Sequence, residues 1–153
     1  MSETPTEVTV AAPALPDDVQ QRAVIEALAK LGPGALPERM GIEILELDQD
    51  RTVARMPVLG NTQPYGLLHG GASAVLAETV GSIASALYAG PTRISLGIEL
   101  SCTHHRAMRD GYVIATTTPL ARTRSLASYA IAVTDEDDRP VCSARLTCML
   151  RDA

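Results

Sequence analysis

Residues 63 to 90 read QPYGLLHGGASAVLAETVGSIASALYAG, and this stretch decides the fold. After His69 it is built mostly from Ala, Val, Leu, Ile, Ser and Gly, and a Gly-Pro pair ends it. We therefore predict one long apolar helix over residues 69 to 89. A single carboxylate, Glu78, lies in the middle of that helix. It needs an explanation, because a buried carboxylate without a partner is costly.

Six strands are predicted around this helix. They are residues 40–48 and 51–58 before it, and residues 93–106, 112–120, 125–135 and 140–150 after it. Short turns between the last four predict an antiparallel meander, whose inner face needs an apolar cover. Only the central helix is long and apolar enough to provide that cover. The sequence thus predicts an α+β fold in which a curved antiparallel sheet wraps around one central helix.

The last strand alternates clearly between apolar and polar residues. The side chains expected to face the helix are Cys142, Ala144, Leu146, Cys148 and Leu150, and those expected to face away are Ser143, Arg145 and Thr147. A period of two is typical of a strand with one buried face. We therefore predict that one side of the sheet is buried and the other is more polar.

The N-terminal part is predicted to hold a tail and a short helix. Residues 1–16 are rich in Pro, Thr, Ala and Glu without periodicity, which favours a disordered tail. A helical pattern starts at Asp17 and stops at the Gly-Pro-Gly that begins at residue 32. A chain of 153 residues is long enough for one core and short for two. We therefore predict a single domain over residues 17–153.

The composition excludes several classes of partner. The chain has no Phe or Trp and only four Tyr, so a pocket must be lined mainly by aliphatic side chains. Nucleic-acid binding through stacked bases depends on aromatic platforms and is not favoured. The net charge is -5, with one lysine beside twelve arginines and no basic run. Nucleic acid and anionic membranes are therefore not expected as partners.

The chain is predicted to be cytoplasmic. Its first sixteen residues have neither a basic region nor an apolar segment of signal-peptide length. Three cysteines are too few for a disulfide framework, which indicates a reducing compartment. A membrane span over residues 69–89 is not favoured, because Gly, Ala and Ser weaken its hydropathy and Glu78 is costly in lipid.

Two features of the central helix point to chemistry. Gly70 and Gly71 lie at its start, where backbone N–H groups lack intrahelical partners and can polarise a carbonyl. The alternative is that the glycines only ease a tight loop. Glu78 has no cation at helical spacing, which suggests a functional carboxylate. The alternatives are an exposed position or an arginine from another segment.

The spacing of these features predicts a dimer. Gly70 and Glu78 are eight residues apart, which is about 12 Å of helix rise. One carbonyl cannot reach the Gly70 amide and the Glu78 carboxylate of the same helix. If the two act together, they come from two chains whose helices run antiparallel across a two-fold axis. The alternative is that the two features are unrelated.

The stretch QPYGLLHGGASAVLAETVGS resembles the signature of the hotdog-fold acyl-CoA thioesterases. It is most similar to the subgroup with the phenylacetate-pathway, 4-hydroxybenzoyl-CoA and 1,4-dihydroxy-2-naphthoyl-CoA thioesterases. The resemblance runs from about Met40 to Leu150. It implies a hotdog fold, an acyl-CoA thioesterase, and a homodimer with sites at its interface that pairs further into a dimer of dimers.

The resemblance also implies roles for individual residues. Glu78 matches the catalytic carboxylate, which acts as nucleophile or general base, and Gly70 matches the amide that polarises the thioester carbonyl. Gln63 and His69 match side chains that line the site beside Gly70, and Ser82 matches a hydroxyl that places the water or the carboxylate. Each also has a structural alternative: Gln63 closing a loop, His69 at the helix entry, and Ser82 packing the helix.

Two further clusters match regions that hold coenzyme A in relatives. His104 and Arg106 end one strand, and Arg124 and Ser125 lie in a later turn. Arginine and hydroxyl or backbone N–H groups suit phosphates. The alternative is solvated charge, above all for Arg109 and Arg122. Relatives often have glycine before a Ser-Arg or Arg-Arg pair in that turn, where this chain has Thr123 before Arg124 and Ser125.

These observations predict hydrolysis of an acyl-CoA thioester, with an aromatic or medium-chain acyl group, to a free acid and coenzyme A. The alternative is a hotdog module that binds acyl-CoA without catalysis. A hotdog hydratase is not favoured, since no Asp-His pair lies on one loop-helix segment. No cofactor is expected, because coenzyme A is part of the substrate. No metal is expected, because His69, Glu78, His104 and His105 lack a ligand spacing such as HExxH.

Overall fold

A computed structural model describes residues 19–153, apart from the side chains of residues 20 and 31. The helices are α1 (Val19–Leu31), α2 (Ala35–Arg39) and α3 (Gly70–Ala89). The strands are β1 (Glu43–Glu46), β2 (Val53–Pro57), β3 (Arg93–His104), β4 (Tyr112–Arg122), β5 (Leu126–Asp135) and β6 (Pro140–Asp152). The predicted tail and the predicted domain boundary at residue 17 lie outside the described residues.

The six strands form one antiparallel sheet in the order β1-β2-β4-β5-β6-β3. The predicted meander is correct for β4, β5 and β6, but it is wrong for β3. This strand pairs with β6 and not with β4. Because the sheet is not closed at this end, β3 is an edge strand twelve residues long.

The connection from β3 to β4 explains the difference. It crosses the ends of β5 and β6, where the His105 N–H donates to the Val141 carbonyl at 2.8 Å. Farther along, the Leu68 N–H donates to the Met108 carbonyl, also at 2.8 Å. A connection of this length suits a hairpin loop or a short crossover, so its turn residues cannot decide between them.

Helix α3 packs one face against the sheet. The buried residues on that face are mainly small: Ala72, Leu76, Ala77, Val80, Gly81 and Ala84. A Cβ atom at Gly81 would lie 2.6 Å from Leu146 Cδ2, so the close approach of helix and sheet depends on glycine there. The helix has the length and composition of a membrane span, but 56% of that window is buried in the fold. It is the core helix of the domain.

Strand β6 confirms the predicted alternation. Its inward residues are buried, namely Cys142, Ala144, Leu146, Cys148 and Leu150. Ser143 and Arg145 are exposed, and Thr147 is half-buried. The sheet therefore has one apolar face, which packs against α3 in the main core.

Helix α1 is attached to the C-terminal half of α3 through a separate small cluster. Its Val24 and Ile25 are buried against Leu87, with Ile83 and Leu28 packed around them. Between α1 and the N-terminal half of α3 a cavity remains. The short helix α2, which the sequence analysis did not predict, borders this cavity. Five residues are too few to show a helical period.

Candidate active site

One face of α3 lines an apolar cavity of about 590 Å³. Val75, Glu78, Thr79, Ser82 and Ile83 share this face, because they follow each other at intervals of three and four residues. The rest of the wall comes from α1, α2, β1 and their connections: Ile25, Leu28, Ala29, Gly32, Pro33, Leu36, Pro37, Ile42, Ile44 and Leu47. The predicted aliphatic lining is confirmed.

Glu78 is the only charged residue in this wall. It is exposed in the protomer, and no hydrogen bond or ion pair to its carboxylate is found among residues 19–153. An arginine from another segment therefore does not account for it. Its carboxylate lies over β3, where a Cβ atom at Gly97 would come within 3.2 Å of Glu78 Oε1. A bulge between Gly97 and Glu99 interrupts β3 at this point.

Ser82 lines the apolar cavity one turn after Glu78. No hydrogen bond from its hydroxyl occurs within the described part of the chain. The neighbouring hydroxyl is engaged, since Thr79 Oγ1 donates to the Val75 carbonyl at 2.7 Å. The Ser82 hydroxyl is therefore available within residues 19–153, and its role in placing water stays a prediction.

A second cavity, of about 320 Å³, surrounds the N-terminus of α3, and we call it the glycine cavity. It is lined by Gln63, Leu67, Leu68, Gly70, Ser73, His104, His105, Arg106, Ala107 and Val141. Gly70 is the first residue of the helix, and its N–H donates to no group within residues 19–153. The His104 ring is close, because a Cβ atom at Gly70 would lie 2.8 Å from His104 Nε2.

The loop before the helix is closed by backbone groups. The Gln63 N–H donates to the Leu67 carbonyl at 2.8 Å, and the Gly66 N–H donates to the Gln63 carbonyl at 2.9 Å. The His69 N–H donates to the Asn61 carbonyl at 2.9 Å. The side chain of Gln63 is therefore not needed for the turn, and the residue lines the glycine cavity.

His69 has a structural role in the protomer. It is the N-cap of α3, and its Nδ1 accepts a hydrogen bond from the Gly71 N–H at 2.8 Å. Its side chain is exposed, and it lines neither of the two described cavities. This is the helix-entry role that the sequence analysis had kept as the alternative to a site role.

The sequence analysis missed Ser73. It is buried and lines the glycine cavity one turn after Gly70. The spacing of three residues from Gly70 was the available signal, because such residues share a helix face. No other sequence signal marks this serine among the small residues of a helix rich in Ala and Gly.

The two clusters proposed for coenzyme A lie at opposite ends of the sheet. His104 pairs with Cys142, whereas Leu126, next to Ser125, pairs with Met149. Seven residues of β6 separate these pairs, which is about 23 Å. His104 and Arg106 line the glycine cavity, and Arg124 and Ser125 do not. One protomer does not bring the four residues together.

Arg106 is held by a buried aspartate. Its Nη1 lies 2.8 Å from Oδ2 of Asp135, which is only 2% exposed. Burial disfavours the charged form of Asp135, but hydrogen bonds from Arg139 and the Asp137 N–H, with the charge of Arg106, outweigh it and lower its pKa to about 2. The ion pair fixes Arg106 beside the glycine cavity.

Asp135→Asn is expected to lower the thermal midpoint at neutral pH by several degrees. The folded pKa lies below the ordinary value of 3.8, so the ionised carboxylate stabilises the fold above about pH 4. That contribution is lost as the pH falls from about 4 to about 2. Thermal denaturation at pH 7 and pH 3 should therefore show a difference between variant and wild type that narrows with acid.

Asp137→Asn is the matched control, because the exposed Asp137 side chain pairs only with Arg139 among residues 19–153, and the variant keeps the backbone N–H that donates to Asp135. It should change neither the midpoint nor its dependence on pH. A constant difference between Asp135→Asn and wild type from pH 7 to pH 3 would contradict the assignment.

Of the other arginines considered for phosphates, Arg122 has a structural role. It donates to Asp50 at 2.6 Å and to the Tyr129 hydroxyl at 3.2 Å. Burial works against its charge, but these two partners raise its pKa. Arg124 differs, because its backbone carbonyl accepts from Arg93 while no ion pair to its side chain is found among residues 19–153. Arg124 is thus the more available of the two.

Each protomer therefore carries two separate cavities. The apolar cavity holds a carboxylate and a hydroxyl, and the glycine cavity holds a free helix amide with polar side chains. The helix rise separates Gly70 from Glu78 by about 12 Å, as the spacing predicted. An antiparallel sheet wrapped on one long central helix is the hotdog architecture.

Comparisons with known proteins place the chain within a family. The model of the family described as Thioesterase superfamily matches residues 65–142. The proofreading thioesterase EntH of Cronobacter turicensis is 42% identical over 129 residues, covering 84% of this chain and 94% of that protein.

Two solved structures are similar over most of their length. A thioesterase from Haemophilus influenzae has a TM-score of 0.77 at 34% identity, covering 83% of this chain and 90% of its own. A mutant thioesterase from Pseudomonas aeruginosa has a TM-score of 0.76 at 30% identity, covering 92% and 100%. The chain belongs to the thioesterase superfamily, and it is a thioester hydrolase. The predicted hotdog fold and enzyme class are confirmed, which disfavours a module without catalysis.

Proposed function

We propose that this hydrolase cleaves acyl-CoA thioesters at a site built by two protomers. One protomer supplies Glu78 and Ser82, and its partner supplies Gly70 and Gln63. The observation that carries the proposal is the separation of two groups within the protomer. An unpaired carboxylate lies in one cavity and a free helix amide in another, and neither cavity holds both.

The edge strand β3 supports the dimer. Its outer edge has no strand partner among residues 19–153, and Leu96 and Ile98 are 41% and 56% exposed. A long edge strand with apolar residues is a template for pairing with a second chain. Pairing of two β3 strands across a two-fold axis extends the sheet and sets the two α3 helices antiparallel. Glu78 lies over Gly97 of β3 and is therefore beside that interface.

The proposed mechanism uses both halves of the site. The Gly70 N–H donates to the thioester oxygen and stabilises the negative charge that develops there. Glu78 either attacks the carbonyl carbon or removes a proton from an attacking water that Ser82 helps to place. The carbon–sulfur bond breaks, and coenzyme A leaves as the thiolate and takes a proton. In the nucleophilic route, water then hydrolyses the mixed anhydride and restores Glu78.

The remaining assignments concern the coenzyme A tail and the assembly. We propose that phosphates are bound by His104 and Arg106 from one protomer and by Arg124 and Ser125 from another, since one protomer separates these pairs. A dimer of dimers would supply further neighbouring protomers for these contacts.

Neither metal nor cofactor takes part in the proposed reaction. A cytoplasmic location is supported by three free cysteines.

Release of free thiol from acyl-CoA tests the activity, and mixing of two inactive variants tests the shared site. Glu78→Gln and Gly70→Pro protomers, refolded or coexpressed together, form mixed dimers in half of the cases. Each mixed dimer has one doubly altered site and one intact site, so about one quarter of wild-type activity should return. No thiol release from any acyl-CoA would contradict the activity. Thiol release by wild type without recovery in the mixture would contradict the shared site alone.

Gly97→Ala is expected to lower kcat several-fold while KM and the thermal midpoint change little. The new methyl group would lie 3.2 Å from Glu78 Oε1 and displace the carboxylate by a few tenths of an ångström. Small displacements of a reacting group reduce its effectiveness. Steady-state thiol release and thermal denaturation measure both effects.

A further inference from the structure

We infer that the acyl group is an unsubstituted aliphatic chain of medium length, held in the apolar cavity. The inference rests on the proposed function, because Glu78 and Ser82 then mark the end of the cavity where the thioester reacts. A volume of about 590 Å³ lies within the range of small-molecule sites and far exceeds what an acetyl group fills.

The chemistry of the wall distinguishes one acyl class from another. Apart from Glu78 and Ser82, the only polar side chain in the described lining is Thr79, whose hydroxyl already donates to the Val75 carbonyl. The remaining side chains are Leu, Ile, Val, Ala and Pro. A hydroxyl group on the acyl chain would therefore be buried without a side-chain partner wherever it lies away from Glu78, Thr79 and Ser82, which is costly.

Backbone groups at the rim are also engaged. The Gly32 N–H donates to the Leu28 carbonyl at 2.8 Å, and the Ile42 N–H donates to the Pro37 carbonyl at 3.0 Å. These bonds close the α1–α2 turn and fix the entry of β1. They leave those N–H groups unavailable to a polar acyl substituent.

The wall holds no aromatic ring among its described residues. Tyr129 is buried in the main core and Tyr65 is exposed, and neither ring lines this cavity. Aromatic acyl groups gain from ring stacking in pockets that supply a ring, and this cavity cannot provide it. Aliphatic side chains around a cavity of this volume suit a flexible hydrocarbon chain.

Chain length should therefore control kcat/KM. Each methylene transferred from water into an apolar cavity raises binding of the transition state by roughly three- to fourfold. Between butanoyl-CoA and octanoyl-CoA, kcat/KM is expected to rise by about two orders of magnitude and then to level off when the cavity is full. Benzoyl-CoA should fall between them, and 4-hydroxybenzoyl-CoA should be at least about fivefold poorer than benzoyl-CoA.

The full-length protein is assayed with these four thioesters by thiol release. A rise with chain length and a penalty for the hydroxyl group support the inference. A preference for 4-hydroxybenzoyl-CoA over both benzoyl-CoA and octanoyl-CoA would overturn it and leave the proposed function intact. Absence of thiol release from all four would instead overturn the proposed function.

A variant tests whether this cavity determines the selectivity for acyl-chain length. Val75→Phe, one turn before Glu78, reduces the free volume, so the preference for octanoyl-CoA over butanoyl-CoA should fall about tenfold or more while butanoyl-CoA is still cleaved. Leu59→Phe makes a comparable change at an exposed position outside the cavity and should leave the ratio unchanged. An unchanged ratio in a folded Val75→Phe protein would place the acyl chain elsewhere and overturn the inference.

Discussion

Glu78→Gln is expected to reduce kcat for thioester hydrolysis by about 10² to 10⁴-fold. The amide keeps the shape of the carboxylate but can neither attack a carbonyl nor accept a proton from water. Because Glu78 is exposed and has no ion pair among the described residues, its replacement should not lower the thermal midpoint. Thiol release under saturating acyl-CoA, together with thermal denaturation, measures both quantities.

The matched control is Glu46→Gln. Glu46 is a glutamate on β1 that pairs with the exposed Arg51 and lines neither cavity. Surface ion pairs of this kind contribute at most about 1 kcal/mol. The control should therefore keep wild-type turnover. If Glu78→Gln kept more than about a tenth of wild-type kcat, the carboxylate would not carry the chemistry.

Gly70→Pro is expected to reduce kcat by about 10² to 10³-fold, the loss typical of one missing oxyanion donor. Proline removes the backbone N–H and nothing else of hydrogen-bonding value. The position tolerates it well, because Gly70 is the first residue of α3, where proline is favoured. His69 has φ -71° and ψ 131°, the extended conformation that a residue before proline prefers.

Gly70→Ala distinguishes the effect of losing the backbone N–H from the effect of adding a Cβ atom near His104. Either substitution introduces a Cβ atom 2.8 Å from His104 Nε2, so both displace the exposed His104 ring. Only the proline variant removes the N–H. The alanine variant should therefore retain much more activity than the proline variant. Equal losses in the two variants would attribute the effect to His104 and not to the amide.

Much of the fold could be predicted from local pattern. The helix predicted over residues 69–89 is observed as Gly70–Ala89 with His69 as its N-cap. The alternation of β6 correctly identified its buried face. The position of β3 beside β6 could not be read in the same way, since strand order depends on contacts between distant segments and not on local turn residues.

The relative positions of candidate site residues could be predicted where those residues lie on the same helix. The rise from Gly70 to Glu78 follows from residue spacing, and so does the shared face of Glu78 and Ser82. The contacts of Arg106 with Asp135 and of Glu78 with Gly97 join separate elements, so the sequence could not reveal them. For His69 the sequence left two roles open, because a histidine ring at this position can cap the helix or line the site. Only its contacts in the folded protein distinguish the two.

The strand order has a consequence for how the protein is made. A chain emerges from the ribosome from its N-terminus, so β3 is synthesised before its neighbour β6 exists. Until residues 140–152 appear, β3 has no strand to pair with, and Leu146 is not yet present to pack against Gly81. The part of the apolar helix α3 that packs against β6 thus stays exposed through the synthesis of β3, β4 and β5. We expect nascent chains of this protein to bind chaperones that recognise exposed apolar segments until β6 pairs with the sheet.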